Sequence, residues 1–295
     1  LPDTVNCHIV LRLTAADLQR NNAIRVGIWI MRIAWLTDIH LNFLIPREID
    51  LFISKVKKTN PDVVIITGDI GESHDFGEYL TKMARDLATP ILFTLGNHDF
   101  WGSSFRKVKE RARQLIAEED NLTWLSVSEP VQLSESIALV GHDSWADGRF
   151  GDYDGSDVEL SDFYAIEDLM FLDKKDRLEV VQAAADEAVR HLSEVLPRAL
   201  DVADHVIVAT HVPPFREACW YRGKVSDDDY LPHFSCKAVG DVILDAMTGR
   251  NEKKLTVLCG HTHGSGEAQI SDNILALTGK AKYGRPEIQQ VFELD

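Results

Sequence analysis

Aspartate, histidine and asparagine recur in short clusters along this chain, each placed just after a run of Val, Ile or Leu. The clusters are Asp38-Ile39-His40, Gly68-Asp69, Gly96-Asn97-His98-Asp99, His211 and Gly260-His261-Thr262-His263. Their donors are hard or borderline oxygens and nitrogens with no thiolate among them, a set suited to divalent Mn, Fe, Zn, Co or Ni. Asp-x-His and His-x-His put alternate side chains on one side of an extended segment, so both can reach one metal cluster. Gly68, Gly96 and Gly260 suit the tight turns such loops need. The candidates outnumber the three or four ligands of a single zinc, whereas two ions sharing a bridging carboxylate would use them all. Each fragment alone is weak: Gly-Asp is commonly a turn, and a lone histidine at a strand end is more often structural. Their joint occurrence, in this order and each after a predicted strand, carries the reading.

Strands must bring these side chains together. Val- and Ile-rich runs at 32–37, 63–67, 91–95, 137–141, 205–210, 255–259 and 274–278 alternate with helical patterns, the mark of an α/β chain. Unbroken hydrophobicity in Val63-Val64-Ile65-Ile66 predicts a strand covered on both faces. Ile49, Phe52, Ile53 and Val56 recur at helical spacing before Asn60-Pro61. A second helix is expected over 175–196, with Pro197 ending or kinking it. In open α/β sheets the carboxyl ends of the strands gather at one edge, and ligands bind there. Residues 143–173 are rich in Asp, Gly and aromatics with weak periodicity, and read as an insertion that caps the site.

The bulk composition narrows the partners. Of 295 residues, 45% are hydrophobic and 26% charged, as in a globular chain with a substantial core. With 31 basic and 47 acidic residues the net charge is −16, which argues against a nucleic-acid binder that works by neutralising phosphates. A small phosphorylated substrate stays compatible, because a metal pair reverses the field inside one pocket. Cys7, Cys219, Cys236 and Cys259 form no Cys-x-x-Cys pair and are expected as buried thiols in a reducing cytoplasm. No apolar run approaches the roughly 20 residues of a membrane helix. Residues 1–30 lack a starting Met and a signal-peptide layout. They are expected to be leader or appended sequence, with 24–30 as an optional extra edge strand, ahead of one domain over 31–295.

The motif series resembles the signature of the calcineurin-like metallophosphoesterase superfamily, from about Met31 to the C-terminus. The resemblance implies a two-sheet β-sandwich flanked by helices. It implies two divalent metal ions, one held by Asp38, His40 and His263, the other by Asn97, His211 and His261, with Asp69 bridging both. Such a pair clamps a phosphoryl group and activates water. His98 would then be no ligand but the group that protonates the leaving oxygen or steadies the transition state, with Asp99 orienting its imidazole and favouring the protonated form.

Departures from subfamily patterns refine the expectation. The further Asp-Arg-Gly of protein Ser/Thr phosphatases is missing after Gly68-Asp69, and Glu72 stands where purple acid phosphatases carry a Tyr iron ligand. Gly-Asn-His-Asp with Gly-His-Thr-His is similar to the bacterial cyclic-nucleotide phosphodiesterase branch. A small phosphodiester or monoester is therefore expected, the diester ahead. Arg149 and Arg216 are candidate substrate contacts, and Tyr153, Trp220, Tyr221 and His233 candidate pocket walls. Asp227-Asp228-Asp229 reads as a solvated acidic loop. A nuclease on the same scaffold is the main alternative, and a non-catalytic metal-binding scaffold the lesser one.

Overall fold

The computed structural model describes residues 30–294, so the expectations for residues 1–29 and for Cys7 lie outside the described residues. One sheet has the order β13-β1-β2-β3-β4, built from β1 (Met31–Leu36), β2 (Val63–Thr67), β3 (Ile91–Thr94), β4 (Leu122–Trp124) and β13 (Gln290–Leu294). The other runs β11-β12-β10-β7-β6-β5, from β5 (Val131–Gln132), β6 (Ile137–His142), β7 (His205–Thr210), β10 (Lys254–Cys259), β11 (Gly266–Ser271) and β12 (Ile274–Thr278). Strands β1 to β4 are mutually parallel, as are β6, β7, β10 and β12, while β13, β11 and β5 close the edges antiparallel. A small hairpin, β8 (Trp220–Tyr221) with β9 (Lys224–Val225), stands apart.

The period-two alternation of strands explains how the sheets stack. Met31, Ile33, Trp35, Val63, Ile65 and Leu92 share one core with Ile137, Leu139, Ile207, Ala209, Leu258 and Leu277, which is the seam between the two sheets. The intervening residues Ala34, Leu36, Val64, Ile66, Ala138, Val140, Val206 and Val208 belong instead to the core formed with the helices. Those helices are α1 (Pro46–Lys58), α2 (Phe76–Leu87), α3 (Phe105–Glu118), α4 (Lys174–Val202) and α5 (Lys237–Met247). The fold is the two-sheet sandwich flanked by helices, and the unbroken Val63–Thr67 run is apolar throughout because both its faces are covered.

Helix α4 corrects one expectation. It continues past Pro197 to Val202, because Ala199 and Leu200 are fully buried beyond the proline. Packing of that last turn outweighs the one backbone hydrogen bond a proline removes. Cys219, Cys236 and Cys259 are buried free thiols. Among the described residues, no helix is long and apolar enough to cross a membrane.

Candidate metal centre

Five parallel strands deliver the motif residues to one edge. Asp38 and His40 follow β1, Asp69 follows β2, Asn97 and His98 follow β3, His211 follows β7, and His261 and His263 follow β10. The loops are tied to each other by backbone bonds: Asp38 N–H to Gly68 C=O at 3.0 Å, His40 N–H to Asp69 C=O at 2.9 Å, and Gly260 N–H to His211 C=O at 2.8 Å. Gly96 and Gly260 leave room that a side chain would fill, since a Cβ would strike Asp69 Oδ1 at the first and Asp38 Oδ2 at the second. Asp38, His40, Asp69, His261 and His263 all have left-handed backbone, with φ of 48°, 40°, 53°, 68° and 58°. Each such residue costs on the order of 1–3 kcal/mol and persists only where surrounding structure over-determines it. That concentration of strain marks the edge as a built site.

Two groups of donors meet around Asp69. In the first, one donor atom from each of Asp38, His40, Asp69 and His263 lies within 4.8 Å of every other. His40 Nε2 is 3.2 Å from His263 Nε2 and 3.5 Å from Asp69 Oδ2, and His263 Nε2 is 3.4 Å from Asp38 Oδ1. In the second, Asn97 Oδ1 lies 3.0 Å from His211 Nε2 and 2.9 Å from His261 Nδ1, while His211 Nε2 is 3.5 Å from Asp69 Oδ1. The two carboxylate oxygens of Asp69 thus face different groups.

The proton positions can be deduced, and they decide what the second group is for. His211 Nδ1 is 2.8 Å from the Thr67 carbonyl, so the proton sits there and Nε2 offers a lone pair. His261 Nε2 is 3.2 Å from the His233 carbonyl, which leaves the lone pair on Nδ1. Burial lowers the pKa of both rings, His261 to about 3, so each carries one proton. Asn97 Nδ2 donates to Asp162 Oδ1 at 2.8 Å, which turns its carbonyl oxygen inward. Two lone pairs, an amide oxygen and a carboxylate oxygen therefore point at one place with no N–H among them. Such convergence of acceptors is repulsive unless a cation sits between them, and ring nitrogens fixed from behind by carbonyls are what metal-ligating histidines use.

Charge says the same. Burial pushes the Asp69 carboxyl well above its ordinary range, with the neighbouring Asp38 and Asp99 adding to it. At Asp38 burial is outweighed by the His263 contact and the nearby His211 and His40, which hold it below its ordinary value. Burial also lowers His40 to about 3. Besides histidine rings these buried carboxyls have the Thr37 hydroxyl and the amides of His261 and His98 as partners, none of them a fixed cation, so a divalent cation is what would let both ionise. The residues present fit a divalent metal centre.

His98 and Asp99 depart from expectation. The His98 ring stacks on Trp101 at 3.7 Å, its Nε2 is 3.4 Å from the Tyr283 hydroxyl, and its Nδ1 is buried without a partner. Asp99 instead accepts from the amides of Ile70 and Gly71 at 2.9 Å each and of Gly96 at 2.8 Å. It braces the loops after β2 and β3, and it does not orient the imidazole. Nor is that imidazole protonated: burial and the adjacent His40, His211 and His263 lower it to about 2.

The expected arginines lie elsewhere. Arg149 pairs with Asp147 at 3.0 Å and Asp186 at 2.9 Å, and Arg216 with Asp228 at 2.7 Å, and neither lines the cleft over the donors. In a chain this acidic, a surface arginine finds a carboxylate close by. That cleft, about 310 Å³, has Tyr221 on its wall together with Trp101, Tyr230, Phe234 and Tyr283. Tyr153 and His233 line a small cavity behind Asn97 and His261, and the Trp220 ring packs on Gly266. Asp227, Asp228 and Asp229 are exposed, as a solvated loop should be. The insertion supplies Leu160, Ser161 and Asp162 to the cleft. Asp162, Trp101 and Tyr283 carry no motif signal, which is why the sequence does not single them out.

A family model described as calcineurin-like phosphoesterase matches residues 31–265. The chain belongs to the calcineurin-like phosphoesterase family. It is 28% identical over 136 residues to a transmembrane protein with metallophosphoesterase domain from Danio rerio, covering 44% of this chain and 30% of that protein. It is 33% identical over 75 residues to the uncharacterised metallophosphoesterase Cj0846 of Campylobacter jejuni, covering 24% and 20%. The matches thus span less than a third of those relatives' length. Similar solved structures are a phosphopantetheinyl hydrolase from Mycobacterium tuberculosis and a dimetal phosphatase from Danio rerio. The first has a TM-score of 0.64 at 12% identity, covering 90% of this chain and 96% of that one. The second has a TM-score of 0.52 at 14% identity, covering 85% and 87%. At these identities the likeness shows the shared fold alone. The chain thus joins a phosphoesterase family domain to a cluster of donors that could hold a divalent metal.

Proposed function

We propose that this phosphoesterase holds two divalent transition ions and hydrolyses a small phosphodiester. The observation that carries the reading is the pair of donor groups that meet at Asp69, with one carboxylate oxygen facing each. Asp38, His40 and His263 would hold one ion, Asn97, His211 and His261 the other, with Asp69 common to both. When bound, the ions supply Lewis acidity at the phosphoryl oxygens and activate water as the nucleophile. The Thr67 and His233 carbonyls keep the ring lone pairs of His211 and His261 aimed inward. An orphaned buried donor is rarer than an orphaned acceptor, which favours the His98 proton on Nε2, facing the cleft. From there a neutral imidazole would donate a hydrogen bond to the leaving oxygen as charge develops on it, keeping its proton.

Charge in the cleft favours the diester. Among the described residues that line it there is no Lys or Arg, whereas Asp69 and Asp162 are present. A phosphomonoester carries close to two negative charges at neutral pH, since its second pKa is about 6, and a diester carries one. The aromatic wall would receive the uncharged organic part. The same lack of basic residues disfavours a nuclease, which would need cations along a backbone track. With Mn²⁺ loaded, kcat/KM for bis(p-nitrophenyl) phosphate should exceed that for p-nitrophenyl phosphate by about tenfold or more, at least 1.4 kcal/mol in the transition state. A ratio below one overturns the diester preference. Faster cleavage of single-stranded DNA than of any small ester would favour the nuclease.

A further inference from the structure

Asp162 is a partner that the donor set requires and that lies outside every motif. It begins a single helical turn at Asp162–Ala165, inside the insertion, and is only 5% exposed. One of its oxygens accepts from Asn97 Nδ2 at 2.8 Å and from Trp101 Nε1 at 2.6 Å.

A side-chain amide has nearly the same shape whichever way it is turned, so its orientation is set by its partners alone. On its inner side Asn97 meets His211 Nε2 and His261 Nδ1, both lone-pair bearing. Those two nitrogens, with no ion between them, would accept from an amide NH₂ more readily than they tolerate a carbonyl oxygen. Local hydrogen bonding on that side therefore favours the wrong orientation. The acceptor across the amide opposes it, because a flipped Asn97 would set its oxygen against the Asp162 carboxylate.

We propose that Asp162 is a positioning residue that locks the Asn97 oxygen toward His211 and His261, and so sets the affinity of that one metal position. The inference rests on the two-ion reading above. Asn97 belongs to the second group only, so the Asp38, His40 and His263 position is untouched by its flip. The same carboxylate oxygen holds Trp101, which latches the insertion to the loop that carries Asn97. The insertion is then part of the metal-binding apparatus as well as a wall of the cleft.

The test titrates chelator-stripped protein with Mn²⁺ by calorimetry, with bound metal counted by elemental analysis. Wild type should take two ions. Asp162→Ala should keep one at wild-type affinity and bind the other about 10–100-fold more weakly, as loss of an outer partner of a ligand does. Asp162→Asn, which still offers an oxygen to Asn97 and Trp101, should restore both. Two ions bound at wild-type affinity by a folded Asp162→Ala overturn the proposal, and so does loss of the second ion from Asp162→Asn. If circular dichroism finds the alanine variant unfolded, the asparagine variant decides by the same criterion. Fewer than two ions on wild type defeat the underlying two-ion reading instead, a failure visible before any variant is made.

Discussion

Asp69→Ala should strip both metal positions and reduce turnover to background. Asp69 Oδ2 faces the first donor group and Oδ1 the second, so one substitution removes a ligand from each. Oδ1 also accepts the His98 amide at 2.9 Å, and orphaning that buried donor costs about 1–3 kcal/mol more. Loss of a direct ligand from both groups exceeds the roughly 10–100-fold penalty of losing an outer partner. Bound metal after gel filtration should fall below one ion per chain, with kcat down by about 10³ or more, a barrier increase near 4 kcal/mol. Retention of two ions by a folded Asp69→Ala would show that the carboxylate is not shared.

His98→Ala should separate chemistry from metal binding. The imidazole belongs to neither donor group, and it lines the cleft beside Tyr283 and Trp101. Removing a positioned hydrogen-bond donor to a developing oxyanion typically costs about 10²–10³ in kcat. That loss should appear in kcat, with the metal count at wild-type level and KM little changed, because the interaction strengthens only as the leaving oxygen gains charge. The loss should shrink for good leaving groups, whose oxygen has less need of a hydrogen bond as charge develops. If activity per bound ion were instead unchanged while metal was lost, His98 would be part of the metal-binding apparatus.

The contrast between Asp99 and Asp162 explains which parts of the site were legible in the sequence. Metal-competent types at successive strand ends announce themselves, because parallel strands must bring their carboxyl ends to one edge. Asp99 belongs to such a cluster and was given a role by proximity in sequence, yet its carboxylate turns to the amides of Ile70, Gly71 and Gly96. Backbone donors in a tight turn are invisible in one-letter code. Asp162 lies among Asp147, Asp152, Asp154 and Asp157 in a segment without periodicity, and only the fold distinguishes it.

The arginines failed for a related reason. Arg149 and Arg216 are candidate substrate contacts by residue type, but Asp147, Asp186 and Asp228 take them up. The long buried strands were readable from their apolar runs, whereas β4 and β5, of three and two residues, are too short for any period to register. Pro197 does not end its helix, because the burial of Ala199 and Leu200 beyond it is not readable from a proline's local preference.

Anomalous scattering from a crystal of Mn²⁺-loaded protein tests the shared-carboxylate geometry most directly. Two peaks about 3.5–4 Å apart are expected, the usual spacing of a hydrolytic metal pair. The side chain at position 69 should lie between them, with His263 at one peak and His211 at the other. A single peak, or two whose ligand sets have no residue in common, would contradict the account.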